Sequence, residues 1–334
     1  AAALWALVLG ACGAAPLPET EPELAGRLAV RIVTDEAEAA LAILRTRVAG
    51  HETADSLWEE LFASEGYRRL GQRETAMGRP FDEDMFRALL EHDTMAAHVE
   101  RLAGALREWQ SVDLDAAARL ALAYLPPAAR IRASLYPVIK PRSNSFVFAT
   151  GTDSAAIFMF LEPGLPASKL QNTLAHELHH IGFAAACGER QQPDRPGLRE
   201  ARRWTGAFGE GIAMLAAAGG PDVHPHAVSD SAERREWDEN LKNAAADMAA
   251  LGSLFLDVLQ ERVTEPDSIA VRAMSFFGEQ GPWYTVGWLM ASTVEQEFGR
   301  ERLVAGTCRP WSLLADYNAA AAAANARGAQ LPLW

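Results

Sequence analysis

Lysine, cysteine and positive charge are all scarce in this 334-residue chain. Of its 31 basic residues only Lys140, Lys169 and Lys242 are lysines, a skew that looks like composition bias and forms no designed basic patch. Against 44 acidic residues the formal charge is −13, a balance that repels phosphate backbones and excludes nucleic acid as a natural partner. Only three cysteines occur, Cys12, Cys187 and Cys308, and no internal repeat is found. The apolar run at the start, Ala1 to Gly10, is too short to cross a bilayer. What is present is 49% hydrophobic and 22% charged residues, the composition of a globular protein with a sizeable core, which rules out disorder and fibres.

The run AAALWALVLG has the length and character of the core of a secretion signal, here without a basic leader. The string Leu9-Gly10-Ala11-Cys12 that closes it resembles the lipobox of bacterial lipoproteins, in which the cysteine takes the lipid and becomes the mature N-terminus. Residues 1–11 therefore read as a signal remnant. Residues 12–24, rich in Pro, Ala and acid, read as a tether from a membrane anchor on Cys12. The expectation is export to the bacterial cell envelope, periplasm or outer membrane. In such an oxidising compartment Cys187 and Cys308 can pair; two buried thiols are the alternative, and spacing does not choose between them.

Residues 25–334 read as a single catalytic domain of α+β class, mainly α-helical: a helical part at 25–127, a sheet with metal-binding helices at 128–220, and a helical part at 221–334. Asp35 with Glu38 suggests a capping box, and further helices are expected at Ser56–Phe62, Asp82–Glu91, Ala96–Trp109 and Asp113–Tyr124. Gly66–Pro80 follows neither period and reads as a loop or short irregular helix that could line a cleft. Ile131–Val138, Ser145–Thr150 and Ala155–Leu161 read as strands, with a turn at Gly151–Ser154. Helices follow from Pro166 to Ala186, from Arg199 or Arg202 to Ala218, over Ala232–Val263 with breaks, and over Trp283–Phe298; Ala319–Ala324 is a low-complexity tail.

The expected Pro166–Ala186 helix carries His176-Glu177-Leu178-His179-His180. Four residues make nearly one turn, so His176 and His180 share a face and their imidazoles can bind one ion. Leu170, Leu174, Leu178, Ile181 and Ala185 form a separate apolar stripe that anchors the helix. Glu177 lies beside the pair, where a general base reaches a metal-activated water without occupying the metal. His179 points elsewhere and reads as structural, or as a support behind the ligands, but not as a ligand. A hydrolytic zinc site needs one more protein ligand and an open position. Candidates are Glu189, Glu200, Glu210, Asp222, His224 and His226. Glu210 is favoured because it sits in a helix between Gly209 and Gly211, poor helix formers whose use makes sense if that helix must approach the metal helix closely.

His176-Glu177 to His180, with Glu210 thirty positions on in Gly209-Glu210-Gly211-Ile212-Ala213, resembles the gluzincin class of zinc metallopeptidases. Within that class the chain is most similar to zinc-dependent peptidases described as a domain of unknown function, from about residue 55 to 305, including Tyr284-Thr285-Val286-Gly287-Trp288. The resemblance implies a zincin-like core, a small sheet packed on the metal helix with an edge strand, Ser145–Thr150 or Ala155–Leu161, free to pair with an extended peptide. It implies Zn2+ on His176, His180 and Glu210, Glu177 as base, and a peptide substrate. Tyr284 is the first candidate to stabilise the oxyanion, helped by N–H groups at the start of its helix, with His224 and His226 as alternatives. One departure is Met214, where the thermolysin-like branch has Asp, so the partner behind the histidines is open. Two rival readings share these ligands: a zinc hydrolase of another amide or ester, and a non-catalytic lipoprotein with a structural metal, which would need four protein ligands.

Overall fold

The run Ile131–Val138 exposes only Arg132, so it is apolar on both faces, as a strand covered on both sides must be. In the computed structural model, which describes residues 24, 26–141, 145–148, 155–188 and 195–334, this run is the inner strand β2 of a four-stranded sheet. β1 (Leu28–Ile32) pairs with it in parallel, Leu28 opposite Ile131. β4 (Ala155–Phe160) is parallel on its other side, and the short β3 (Phe146–Phe148) closes that edge antiparallel to β4. Pro137 has no N–H to donate and falls past the point where β1 stops covering β2.

Between β1 and β2 run seven helices: α1 (Asp35–Val48), α2 (Asp55–Ala63), α3 (Glu65–Ala76), α4 (Glu83–Glu91), α5 (Asp93–Ala97), α6 (Val99–Gln110) and α7 (Leu114–Leu122). After β4 come α8 (Ala167–Cys187), α9 (Pro196–Thr205), a 3-10 turn (Gly206–Phe208), α10 (Gly209–Ala218), α11 (Ser231–Lys242), α12 (Ala244–Leu259), α13 (Pro266–Met274), α14 (Pro282–Phe298), α15 (Arg300–Gly306) and α16 (Pro310–Ala326). None of the described helices is long and apolar enough to cross a membrane.

The two faces of the sheet have different covers. Tyr136, Phe158 and Phe146 stack across three strands at ring separations of 5.1 and 5.2 Å, and α3 lies over this face with Gly66 against Tyr136. On the opposite face Gly182 of α8 comes so close to Leu125 and Ile131 that a Cβ there would meet Leu125 Cδ1 at 2.3 Å. Buried side chains gather into two cores. One surrounds the sheet and includes Ile43, Phe86, Trp109, Ile157, Leu174 and Leu178; the other is wholly helical and includes Phe208, Leu251, Trp283, Met290 and Tyr317. A disulfide between Cys187, the last residue of α8, and Cys308 ties the two halves across 121 positions.

Several expectations are corrected. Gly66–Pro80 is neither a loop nor an irregular helix; most of it lies in the regular helix α3, held by Ser64, whose Oγ accepts from Tyr67 N. The polar surface of α3 hides its period, because only Gly66, Tyr67, Leu70 and Arg73 are buried. No Asp35–Glu38 capping box forms. Asp35 instead accepts from Glu65 N and Gly66 N at 2.6 and 3.1 Å, capping α3 from thirty residues away. Leu28–Ile32, inside a stretch read as helical, is β1. Ala96–Trp109 is broken at His98, the Arg199–Ala218 helix is interrupted by the 3-10 turn, and α13 was not foreseen. Ala185 is exposed and leaves the anchoring stripe, while Leu24, counted with the tether, is buried. Ala155–Leu161 offers no free edge, since β4 lies between β2 and β3; Phe146–Phe148 does form an edge. The signal, Cys12, residues 13–23, the Gly151–Ser154 turn and Glu189 fall outside the described residues.

Candidate metal centre

α8 is anchored before it is functional. Leu170, Leu174, Leu178, Ile181 and Gly182 are buried towards the sheet, which at about 100° per residue turns His176 and His180 to the opposite side. There they meet α10. The chain reaches α10 through the 3-10 turn, whose Phe208 is fully buried among Trp283, Phe255 and Trp334 at ring separations of 5.0, 6.1 and 5.8 Å.

Glycine does bring α10 close to a neighbour, but the neighbour is not α8. A Cβ on Gly211 would lie 2.0 Å from Trp288 N and 2.2 Å from Gly287 C, and one on Gly287 would lie 2.7 Å from Phe208 O. Gly211 and Gly287 thus form the contact point at which α10 crosses α14, while Gly209 meets nothing within 4 Å. This crossing fixes Glu210 one residue away. Gly287 was overlooked as a positioning residue, although an isolated glycine inside a helical pattern is a usable signal.

Three donor atoms converge: His176 Nε2 and His180 Nε2 lie 3.0 Å apart, and Glu210 Oε2 lies 3.2 and 3.1 Å from them. The edges of a tetrahedron with metal–ligand bonds of about 2.0–2.1 Å are about 3.3 Å, so this N2O set fits one zinc ion closely. Among the described residues it is the one group of three or more His, Cys, Asp or Glu close enough to share an ion. Burial opposes the charge on His180, but Glu210 beside it and Glu177 nearby hold its pKa up at about 9. Burial would likewise raise the Glu210 carboxyl, yet the two imidazoles keep it well below the usual carboxylate range.

Glu177 is half-buried and makes no hydrogen bond or ion pair among the described residues, although it lies near enough to influence His180 and Tyr284. Tyr284 stacks on His176, rings 6.3 Å apart and 16° from parallel. Burial, then the carboxylates of Glu210 and Glu177, raise its pKa, so the phenol stays neutral and keeps its proton to donate. The N–H groups of α14 expected to help it are taken: Trp283 N donates to Phe276 O, and Tyr284 N and Thr285 N to Gly281 O.

The other candidates go elsewhere. His179 is buried, neither ring nitrogen has a well-formed hydrogen bond, and burial followed by its neighbouring histidines lowers its pKa to about 3, though the Tyr124 backbone lies near enough to oppose this slightly. It lies outside the ligand group. His224 Nε2 lies 3.0 Å from Asp238 Oδ1. His226 is buried, with Nδ1 2.9 Å from Ser229 Oγ and 3.5 Å from Glu233. Glu200 pairs with Arg203 at 3.7 Å, and Asp222 is exposed. None of these four belongs to the metal-sized group. Behind the histidines, His176 Nδ1 is buried without a partner, and Met214, one turn after Glu210, cannot accept its proton strongly.

No curated protein and no solved structure matches the chain. One family does: the family described as "Putative zinc dependent peptidase (DUF5700)" matches residues 58–326, which include α8, α10 and α14, and zinc is the metal its description names. The chain belongs to that family.

Proposed function

We propose that the chain is an exported metallopeptidase of the gluzincin type with a zincin-like core, in which His176, His180 and Glu210 hold zinc and Glu177 is the general base. The observation that carries this reading is the convergence of two imidazoles and one carboxylate at zinc-sized spacing, with no fourth protein donor among the described residues. Three protein ligands leave room for a reactant, whereas a structural zinc closes its shell with four, which disfavours the structural rival. Zinc bound there would acidify a water and polarise the scissile carbonyl.

The remaining steps belong to the chain. Glu177 follows His176 on α8 and is turned about 100° from it, so its carboxylate flanks the site without entering the ligand set. With no ion pair among the described residues, it can accept the proton of the attacking water and pass it to the leaving nitrogen. Tyr284, neutral and stacked beside His176, donates to the oxygen that gains charge. β3 offers main-chain groups at an open sheet edge on which an extended peptide can lie. The Cys187–Cys308 bond suits an oxidising compartment and so favours export; a lipid on Cys12 is the envelope anchor that the N-terminal string suggests.

The test is proteolysis of a mixed peptide library by zinc-loaded protein, with and without a chelator. Glu177→Gln is expected to keep about one zinc per chain while turnover falls roughly 10²–10⁴-fold. Tyr284→Phe is expected to slow turnover on the order of a hundredfold with zinc retained. A fully active Glu177→Gln would remove the general-base assignment. Cleavage of esters or other amides but of no peptide would favour the other hydrolase.

A further inference from the structure

α13 and the turn after it present an apolar series at three-residue spacing. Val271 and Met274 are 74% and 56% exposed, and Phe277 is half-buried. Two exposed large apolar side chains one turn apart are costly to leave in water, and Met is a side chain that adapts to varied apolar partners. The series does not end at random. The Phe277 ring meets Tyr284 edge-on at 6.4 Å, and Tyr284 stacks on His176 at 6.3 Å. Two ring-to-ring steps therefore lead from a metal-ligand candidate to Phe277, a span comparable to a few extended residues at about 3.3 Å each.

Phe277 is also held in place. Its N–H donates to Met274 O at 3.1 Å and its carbonyl accepts from Gly281 N at 2.7 Å. Gly278 takes φ +54°, and a Cβ on Gly281 would lie 2.3 Å from Phe277 O and 2.5 Å from Phe276 O, so the turn is tightly folded. The ring also packs 6.3 Å from the buried Trp283. A tightly held aromatic ring two ring contacts from a metal-ligand candidate, three residues after the exposed Met274, can wall a pocket for an apolar side chain. No lysine or arginine belongs to the turn Ser275–Gly281, and its one charged residue, Glu279, repels an acidic side chain.

We propose that Phe277 is a specificity-determining residue: it forms the wall of an apolar subsite beside Tyr284, and the favoured substrates carry a bulky apolar or aromatic side chain near the scissile bond. This deepens the peptidase reading and rests on it. The test therefore uses binding, which does not require turnover. Zinc-loaded protein is titrated calorimetrically with two amino-acid hydroxamates that present the same zinc-chelating group, one with a benzyl and one with a methyl side chain. Wild type is expected to bind the benzyl compound at least tenfold more tightly, and Phe277→Ala is expected to reduce that preference about tenfold. Phe277→Leu keeps most of the volume and is expected to reduce it two- to threefold, which decides the matter should the alanine variant fail to fold. Equal binding of the two compounds by wild type, or an unchanged ratio in the variants, would overturn the subsite. Inactivity on every peptide with the benzyl preference intact would count against the peptidase reading alone.

Discussion

The sheet-backed half holds His176 and His180 on one helix, whereas the helical half delivers Glu210 and Tyr284 on two helices that cross at Gly211 and Gly287. In the first, the spacing of the ligands is a property of the helix itself, and the core need only orient it. In the second, the ligand position depends on two backbones meeting at one point, with buried Phe208 wedged next to it. A metal site built across such a seam inherits its precision from one side and its vulnerability from the other.

The largest effect should come from removing a ligand on the self-contained side. His180→Ala is expected to lower zinc affinity by more than the roughly 10–100-fold typical of losing an outer partner, read as metal content after dialysis. Zinc retained in full would show that the metal is held without the His180 imidazole and would break the comparison. Next is the covalent tie between the halves. Cys187→Ser with Cys308→Ser is expected to cost about 2–4 kcal/mol in denaturant unfolding. A loss of zinc in the folded double variant would show that the seam needs the bond to stay in register.

A paired glycine test follows. Gly211→Ala places a Cβ against Trp288 N and the Gly287 backbone and is expected to destabilise by about 1–3 kcal/mol while weakening zinc binding. Gly209→Ala enters open space at φ −57° and is expected to stabilise by about 0.5–1 kcal/mol. Equal behaviour of the two would refute the crossing as the device that places Glu210. A pH test concerns the sheet side alone. Glu36 is buried, its Oε2 accepts from Ile139 N, and burial raises its pKa to about 8 from an ordinary 4.5. Between those values the folded state keeps a proton that the unfolded chain has released, so stability falls as pH rises through that window. Glu36→Gln should flatten this decline, seen as melting temperatures that differ less between pH 5 and pH 8.5 than those of wild type.

Legibility in the sequence followed the same division. The histidine helix, its buried stripe and β2 were readable because each rests on local periodicity. Glu210 was readable as a residue type in an unusual glycine context, but the reason given for those glycines was wrong: the partner of Gly211 is 76 positions away on α14, and no local pattern names it. β1 was missed because five residues beside a long helical stretch carry too little alternation to stand out, and its partner is a hundred positions downstream. α3 was missed because its polar face conceals a narrow buried one, and because its cap is supplied by Asp35 from outside the segment. The burial of His226 comes from tertiary packing that no local pattern announces.

The parallel pairing of β1 with β2 also dictates an order of assembly. Contacts that close this part of the fold, such as Ile139 N to Glu36 Oε2 and Arg27 to Ala129 O, join groups 103 and 102 positions apart, while His180 and Glu210 are separated by only 30. Closing the longer loop costs more chain entropy, and folding that depends on such remote contacts is slow. The ligand-bearing segments are therefore expected to collect before the first strand docks, and until it does the uncovered β2 edge is free to pair with another chain.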